Sequence, residues 1–140
     1  MAGVVGVSMA LNALLLVQFV GFHAKRDLSF QQRFENQLDA IWRALPETDQ
    51  AIARDIIAER HDELLRKWRT LLSDSGQAAV ALRASSFDEG AARRAFGQLN
   101  QAFSEYQTAF QSVKVDIASS VSDEGRRHLS LWRPDARHRR

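Results

Sequence analysis

Two stretches of this chain repeat their inward candidates at alternating spacings of four and three, a pattern few folds accommodate. The first runs Ile57, His61, Leu64, Trp68, Leu71, Ser75, Ala78, Leu82; the second runs Ala92, Phe96, Leu99, Phe103, Tyr106, Phe110, Val113, Ile117. Such spacing lines one face of an α-helix and marks helices that pack lengthwise. Between them, Ser86-Phe87-Asp88-Glu89 offers a hydroxyl with a glutamate three residues later, the reciprocal capping pattern, so a helix is expected to begin beside the turn at Ser85 and Ser86. Folding back near position 87 pairs residues equidistant from the turn: Ala78 with Phe96, Ser75 with Leu99, Leu71 with Phe103, Trp68 with Tyr106, Leu64 with Phe110, His61 with Val113, and Ile57 with Ile117. Small residues then oppose large ones near the turn, which fills a seam without voids. Gly76 falls inside the first stretch and costs about 1 kcal/mol relative to alanine, so a bend or a shorter helix is the alternative there.

Shorter helices flank this pair. Phe30, Phe34, Leu38, Ile41 and Leu45 line one face of a helix that should end near Leu45. Pro46 then suits a helix's first turn, where its missing N–H is no loss, and Glu47 and Asp49 complement the positive end of the dipole. Ser122, before Asp123 and Glu124, caps a last short helix carrying Leu129, Leu131 and Trp132. Asp62 with Arg66 and Glu63 with Lys67 are acid-before-base pairs four apart on the outer surface.

The N-terminus is apolar. From Gly3 to Phe22 only Ser8, Asn12 and Gln18 are distinctly polar, and the first charge is Lys25. About 20 helical residues cross a bilayer core, so the run suffices. A signal peptide is the rival reading, but its core is shorter and ends in small residues, whereas this run ends Val20-Gly21-Phe22-His23-Ala24. The expected fold is therefore all-α, with an N-terminal transmembrane helix followed by four helices built on a long antiparallel pair. Residues 1–24 form the anchor, meeting lipid through residues 3–22; residues 25–132 form the helical-hairpin domain, and residues 133–140 a basic tail. Lys25 and Arg26 follow the run, which by the positive-inside rule argues for a cytoplasmic domain, yet no basic residue precedes them.

All 19 basic and 17 acidic residues lie from Lys25 onward, a near balance that calls for no nucleic acid partner. The tail, Arg133 to Arg140, sets four arginines against Asp135 after Pro134 and reads either as a frayed end or as a segment for anionic lipid. Cysteine is absent, so disulfides and thiolate metal sites are excluded.

The apolar N-terminus, Leu45-Pro46, Ser86-Phe87-Asp88 and Val121-Ser122-Asp123-Glu124-Gly125-Arg126-Arg127 together resemble the periplasmic heavy-metal sensor and metal-resistance family, related to periplasmic stress chaperones of the Spy and CpxP type. The resemblance covers roughly the whole chain. It implies a four-helix hooked hairpin, a homodimer, a periplasmic domain held at the inner membrane by a single pass, and a role in sensing envelope or heavy-metal stress through a membrane or anti-sigma-type partner. It also implies a divalent transition metal, zinc, nickel, cobalt or copper. The metal does not carry over residue by residue. Nickel and cobalt sensors of this kind use His-x-x-x-His on the first helix and His-x-x-x-Met near the end of the third, whereas residues 27–45 hold no histidine and residues 91–121 neither histidine nor methionine.

His61 is the remaining candidate, with Glu59 and Glu63 as neighbouring carboxylates. It reads as a satisfied core or half-exposed histidine, or as a ligand or pH switch; the two glutamates lie two positions away, on other faces. His128 pairs with Glu124 on the last helix, His23 falls at the membrane interface and His138 in the tail. There is no glycine-rich phosphate loop and no His-Glu-x-x-His, so no enzyme is expected. Phe96, Phe103, Tyr106 and Phe110 form either the hairpin core, which periodicity favours, or a client-binding surface. A surface for clients or partners off the seam would use Arg54, Arg60, Arg69, Arg83, Arg93 and Arg94. The function expected is a membrane-anchored sensor acting by protein–protein interaction; the alternatives are a tethered chaperone and a purely structural dimeric coiled coil.

Overall fold

The computed structural model of the protein describes residues 27–133. These form four α-helices and no strand: α1 (Asp27–Arg43), α2 (Glu47–Arg83), α3 (Glu89–Ser120) and α4 (Asp123–Leu131). The expected transmembrane helix is corrected here. No helix among the described residues is long and apolar enough to cross a membrane. The longest, α2, carries charges in nearly every turn from Glu47 to Arg69, each of which is costly in hydrocarbon. The apolar run at residues 3–22 lies outside the described residues, as do Lys25, Arg26, His23, His138 and the tail beyond Arg133.

The helix ends follow local chemistry. Pro46 separates α1 from α2, and Glu47 and Asp49 occupy the first turn of α2. Ser122 caps α4, its side chain accepting from the Gly125 N–H. The cap of α3 is not Ser86 but Asp88, whose Oδ1 accepts the Ala91 N–H at 2.9 Å. A carboxylate serves as well as a hydroxyl at this position and adds charge favourable to the dipole, so the helix starts two residues later than the Ser86 pattern expects. Gly76 does not interrupt α2, which runs unbroken past it, and a Cβ there would meet nothing within 4 Å. Gly76→Ala is therefore expected to raise stability by about 0.5–1 kcal/mol, read as a higher urea midpoint at unchanged slope. An unchanged or lower midpoint would refute the open environment.

The chain divides into two compact units. Among the described residues, one comprises Leu28–Leu65 and residues 108–133, so it holds α1, the first half of α2, the end of α3 and α4. Its core is built from large side chains: Phe30, Phe34, Leu38, Ile41 and Leu45 are all buried, as their spacing requires, together with Ile57, Leu64, Phe110, Val113, Ile117, Val121 and Leu129. The other unit, Arg66–Gln107, holds the end of α2, the turn and the start of α3. Its buried side chains are mostly small: Ser75, Ala78, Ala79, Ala92 and Ala102, beside Leu71, Leu99 and Tyr106. Small residues let two helix backbones approach closely while burying little apolar surface per residue. The Trp68 and Tyr106 rings meet at 5.4 Å, as the pairing about position 87 requires, and Lys67 reaches Glu105 at 3.8 Å beside them.

Candidate functional site

The larger-cored unit contains the polar arrangements with chemical potential. His61 on α2 faces α1, where Glu35 Oε1 lies 2.8 Å from its Nε2. The Phe34 ring meets the imidazole edge-on at 5.6 Å, and Asp62 Oδ1 lies 3.5 Å from Nδ1. Phe34 is wholly buried, so one residue of α1 seats the helix while the next carries the ion pair. The hydrogen bond to Glu35 raises the pKa of His61 above its ordinary 6.5, against the lowering effect of burial, and Asp62 adds to the rise. A raised folded-state value means that the imidazolium is stabilised by folding. Its contribution is in full force below about pH 6.5 and fades as pH rises through the higher folded value. The gap in urea midpoint between the protein and His61→Gln should therefore be widest on the acid side and narrow toward pH 8. A gap independent of pH would exclude the ion pair as its source.

Glu59 and Glu63, the carboxylates two positions to either side of His61, are not its partners. Glu59 is exposed, and Glu63 pairs with Arg60 at 3.0 Å. Their two-residue offset turns them about 200° around the helix from His61, so the partner comes from another helix instead. Glu35 was invisible to sequence reasoning, because nothing in a local pattern reports which residue of α1 comes to lie opposite His61. As a donor set the arrangement is sparse. Transition metals in protein sites take four or more ligands, and among the described residues no three His, Cys, Asp or Glu side chains gather where one ion could bind them. These residues do not fit a resident transition-metal centre.

A second polar junction fastens α4. Asp49, only 4 % exposed, accepts from the Ser122 N–H at 3.1 Å and from its hydroxyl at 2.5 Å, while Ser122 Oγ accepts from Gly125 N–H at 3.0 Å. The carboxylate of one helix start thus anchors the cap of another. Further along α4, His128 Nδ1 lies 3.0 Å from the Ala44 carbonyl, so the proton sits on Nδ1. Its Nε2 is 3.8 Å from Glu124, the partner expected from spacing.

The arginines divide by environment. Within this unit Arg54 lies over the Trp42 ring at 5.0 Å, with Arg43 also at 5.1 Å, and Arg60 adds Asp116 at 3.6 Å to its bond with Glu63. In the other unit Arg69, Arg83, Arg93 and Arg94 are exposed, Arg93 paired with Glu89 at 2.6 Å. Among the aromatics, Tyr106 and Phe110 are core, and burial pushes the Tyr106 phenol above its usual range. Phe103 is instead 37 % exposed. Val80, Leu82 and Phe87 of the same unit are also exposed, so its small-residue core leaves large apolar groups in water.

An open groove of about 520 Å³ lies between α3 and α4. Gln111, Lys114, Val115 and Ala118 line it from α3, and Arg126, Leu129 and Ser130 from α4. Lys114 Nζ sits 5.4 Å from the Trp132 ring centroid, and that ring stacks near Phe110 at 6.1 Å.

Comparison with known proteins gives one family: the model described as heavy-metal resistance matches residues 4–128, nearly the whole chain. No curated protein and no solved structure matches it.

Proposed function

The chain belongs to the heavy-metal resistance family, and from that premise we propose that it is a periplasmic regulator of envelope or heavy-metal stress that acts by binding another protein rather than by catalysis. The observation that carries this reading is the His61–Glu35 junction. It is half-exposed, joins two helices over a buried phenylalanine, and holds a proton more tightly than a free imidazole. A charge pair of this kind between packed helices changes strength with the surrounding solution, which is what a sensing element needs. Since the donor set around His61 does not complete a transition-metal site, the response to metal is read as passing through a partner protein.

The test is survival of a host strain deleted for this chain under nickel, cobalt, zinc and copper salts and under envelope-misfolding stress. Restoring the chain should restore growth in at least one condition, and Glu35→Gln, which keeps the side chain's size, should weaken that rescue. A deletion strain indistinguishable from its parent throughout removes the reading. Cross-linking and co-purification separate the modes of action. A stoichiometric partner supports a regulator. A heterogeneous set of unfolded proteins supports instead a chaperone, which the exposed Val80, Leu82, Phe87 and Phe103 favour. Self-association alone leaves only a structural role.

A further inference from the structure

The groove between α3 and α4 has a chemistry that narrows its occupant. Its α3 wall is Gln111, Lys114, Val115 and Ala118, at positions i, i+3, i+4 and i+7, and its α4 wall is Arg126, Leu129 and Ser130, at i, i+3 and i+4. Each wall is thus one face of a helix, and the open groove lies between these two faces. Val115 and the half-buried Ala118 make its accessible apolar surface, Leu129 behind them being only 6 % exposed, and Val115 is 62 % exposed although β-branched and apolar. Both charged residues of the lining are cationic. Arg126 is already tied to Asp123 and to the Val121 carbonyl. Lys114 is held over the Trp132 ring, and no ion pair joins it to a carboxylate among the described residues. An aromatic face positions an ammonium without neutralising it.

The geometry points to this groove as the docking site for an acidic amphipathic helix of a partner protein. The incoming helix would lay small or aliphatic side chains on Val115 and Ala118, and place a glutamate or aspartate against Lys114. A second acid could share Arg126 with Asp123. The inference rests on the proposed function, in that it supplies the surface through which a regulator would bind its partner.

The probe is a labelled alanine-based helix of about 16 residues, long enough to be helical, with a leucine stripe flanked by glutamates. It is titrated against the full chain by fluorescence anisotropy, with ¹⁵N spectra locating the site. Saturable binding is expected, with amide shifts concentrated at Val115, Ala118 and Leu129. Lys114→Glu should weaken binding about tenfold or more, corresponding to loss and reversal of one charge pair. Val115→Asp should abolish it; this residue is exposed, so the fold is not at stake. A peptide with lysines in place of the glutamates should bind correspondingly worse. Equal binding of the two peptides, indifference to Lys114→Glu, or shifts elsewhere on the chain would overturn the inference. So would phosphatidylglycerol vesicles that displace the peptide, since the groove would then be a lipid surface. Peptide binding lost while the stress phenotype persists removes the groove alone, and the converse removes the functional reading alone.

Discussion

Gly125→Ala is expected to destabilise the protein by about 2–4 kcal/mol, although alanine is ordinarily the better helix residue by about 1 kcal/mol. A Cβ at this position would lie 3.1 Å from both the Asp49 Cγ and the Val121 Cβ, and closer still to the Asp49 carboxylate oxygen. The carboxylate cannot retreat cheaply, because it is buried and accepts both the N–H and the hydroxyl of Ser122. Moving it leaves a charge and two donors imperfectly paired in a confined space, the costlier half of any hydrogen-bond exchange. Asp49→Ala alone should cost about 1.5–3 kcal/mol by the loss of charge-assisted bonds. In that background Gly125→Ala should become markedly cheaper, since the atom it strikes is gone. Urea denaturation of the two single variants and the double variant closes the cycle. Additive costs would show that Asp49 is not what excludes a side chain from position 125. Gly76→Ala, in open space, is the control that carries alanine's propensity gain without the collision.

This junction marks where sequence reasoning succeeds and where it stops. The cap at Ser122 was legible, because a hydroxyl before two acids is a local signature, and so were Pro46 and the acids of the α2 first turn. The further role of Asp49 was not. An acid in a first turn is adequately explained by the helix dipole, and nothing local says that its carboxylate reaches residue 122. His61 shows the same limit: its place on the α2 seam is legible, but its partner, Glu35, lies on α1, which no pattern within α2 reports. The long seams were read well at their centre, where Trp68 meets Tyr106, and less well toward the turn, where Leu82 is exposed and Phe96 only partly covered. Ala102 and Ala109, which lie off the expected seam, are buried, whereas Phe103, which lies on it, is 37 % exposed. An α-helix turns 3.6 residues at a time while the seam advances 3.5, so the inward face drifts by about 20° per heptad, and a regular pattern selects the neighbouring residue after several turns. The expected membrane span has no counterpart among the described helices, none of which is long and apolar enough to cross a bilayer.

Two phenylalanines separate these effects by experiment. Phe34→Ala should cost about 3–5 kcal/mol, the usual range for emptying a fully buried aromatic site, whereas Phe103→Ala should cost under about 1 kcal/mol. Phe34 is 0 % exposed and Phe103 is 37 % exposed, yet both satisfy their sequence patterns equally well. A loss of that size is a large fraction of the roughly 5–15 kcal/mol typical of a folded domain, so Phe34→Ala should leave the unit of α1 and the first half of α2 close to unfolding. It also carries a second readout. The Phe34 ring packs edge-on to His61, and the residue after it supplies the ion-pair partner. Loosening α1 should therefore let the His61 pKa fall back toward 6.5, a change that ¹H–¹⁵N titration of the imidazole follows directly. Phe34→Leu, which refills most of the volume, should recover most of the stability and hold the raised pKa. Comparable costs at positions 34 and 103 would contradict the placement of the core. A His61 pKa unmoved by Phe34→Ala in protein that remains folded would show that the ion pair is positioned without help from the ring beneath it.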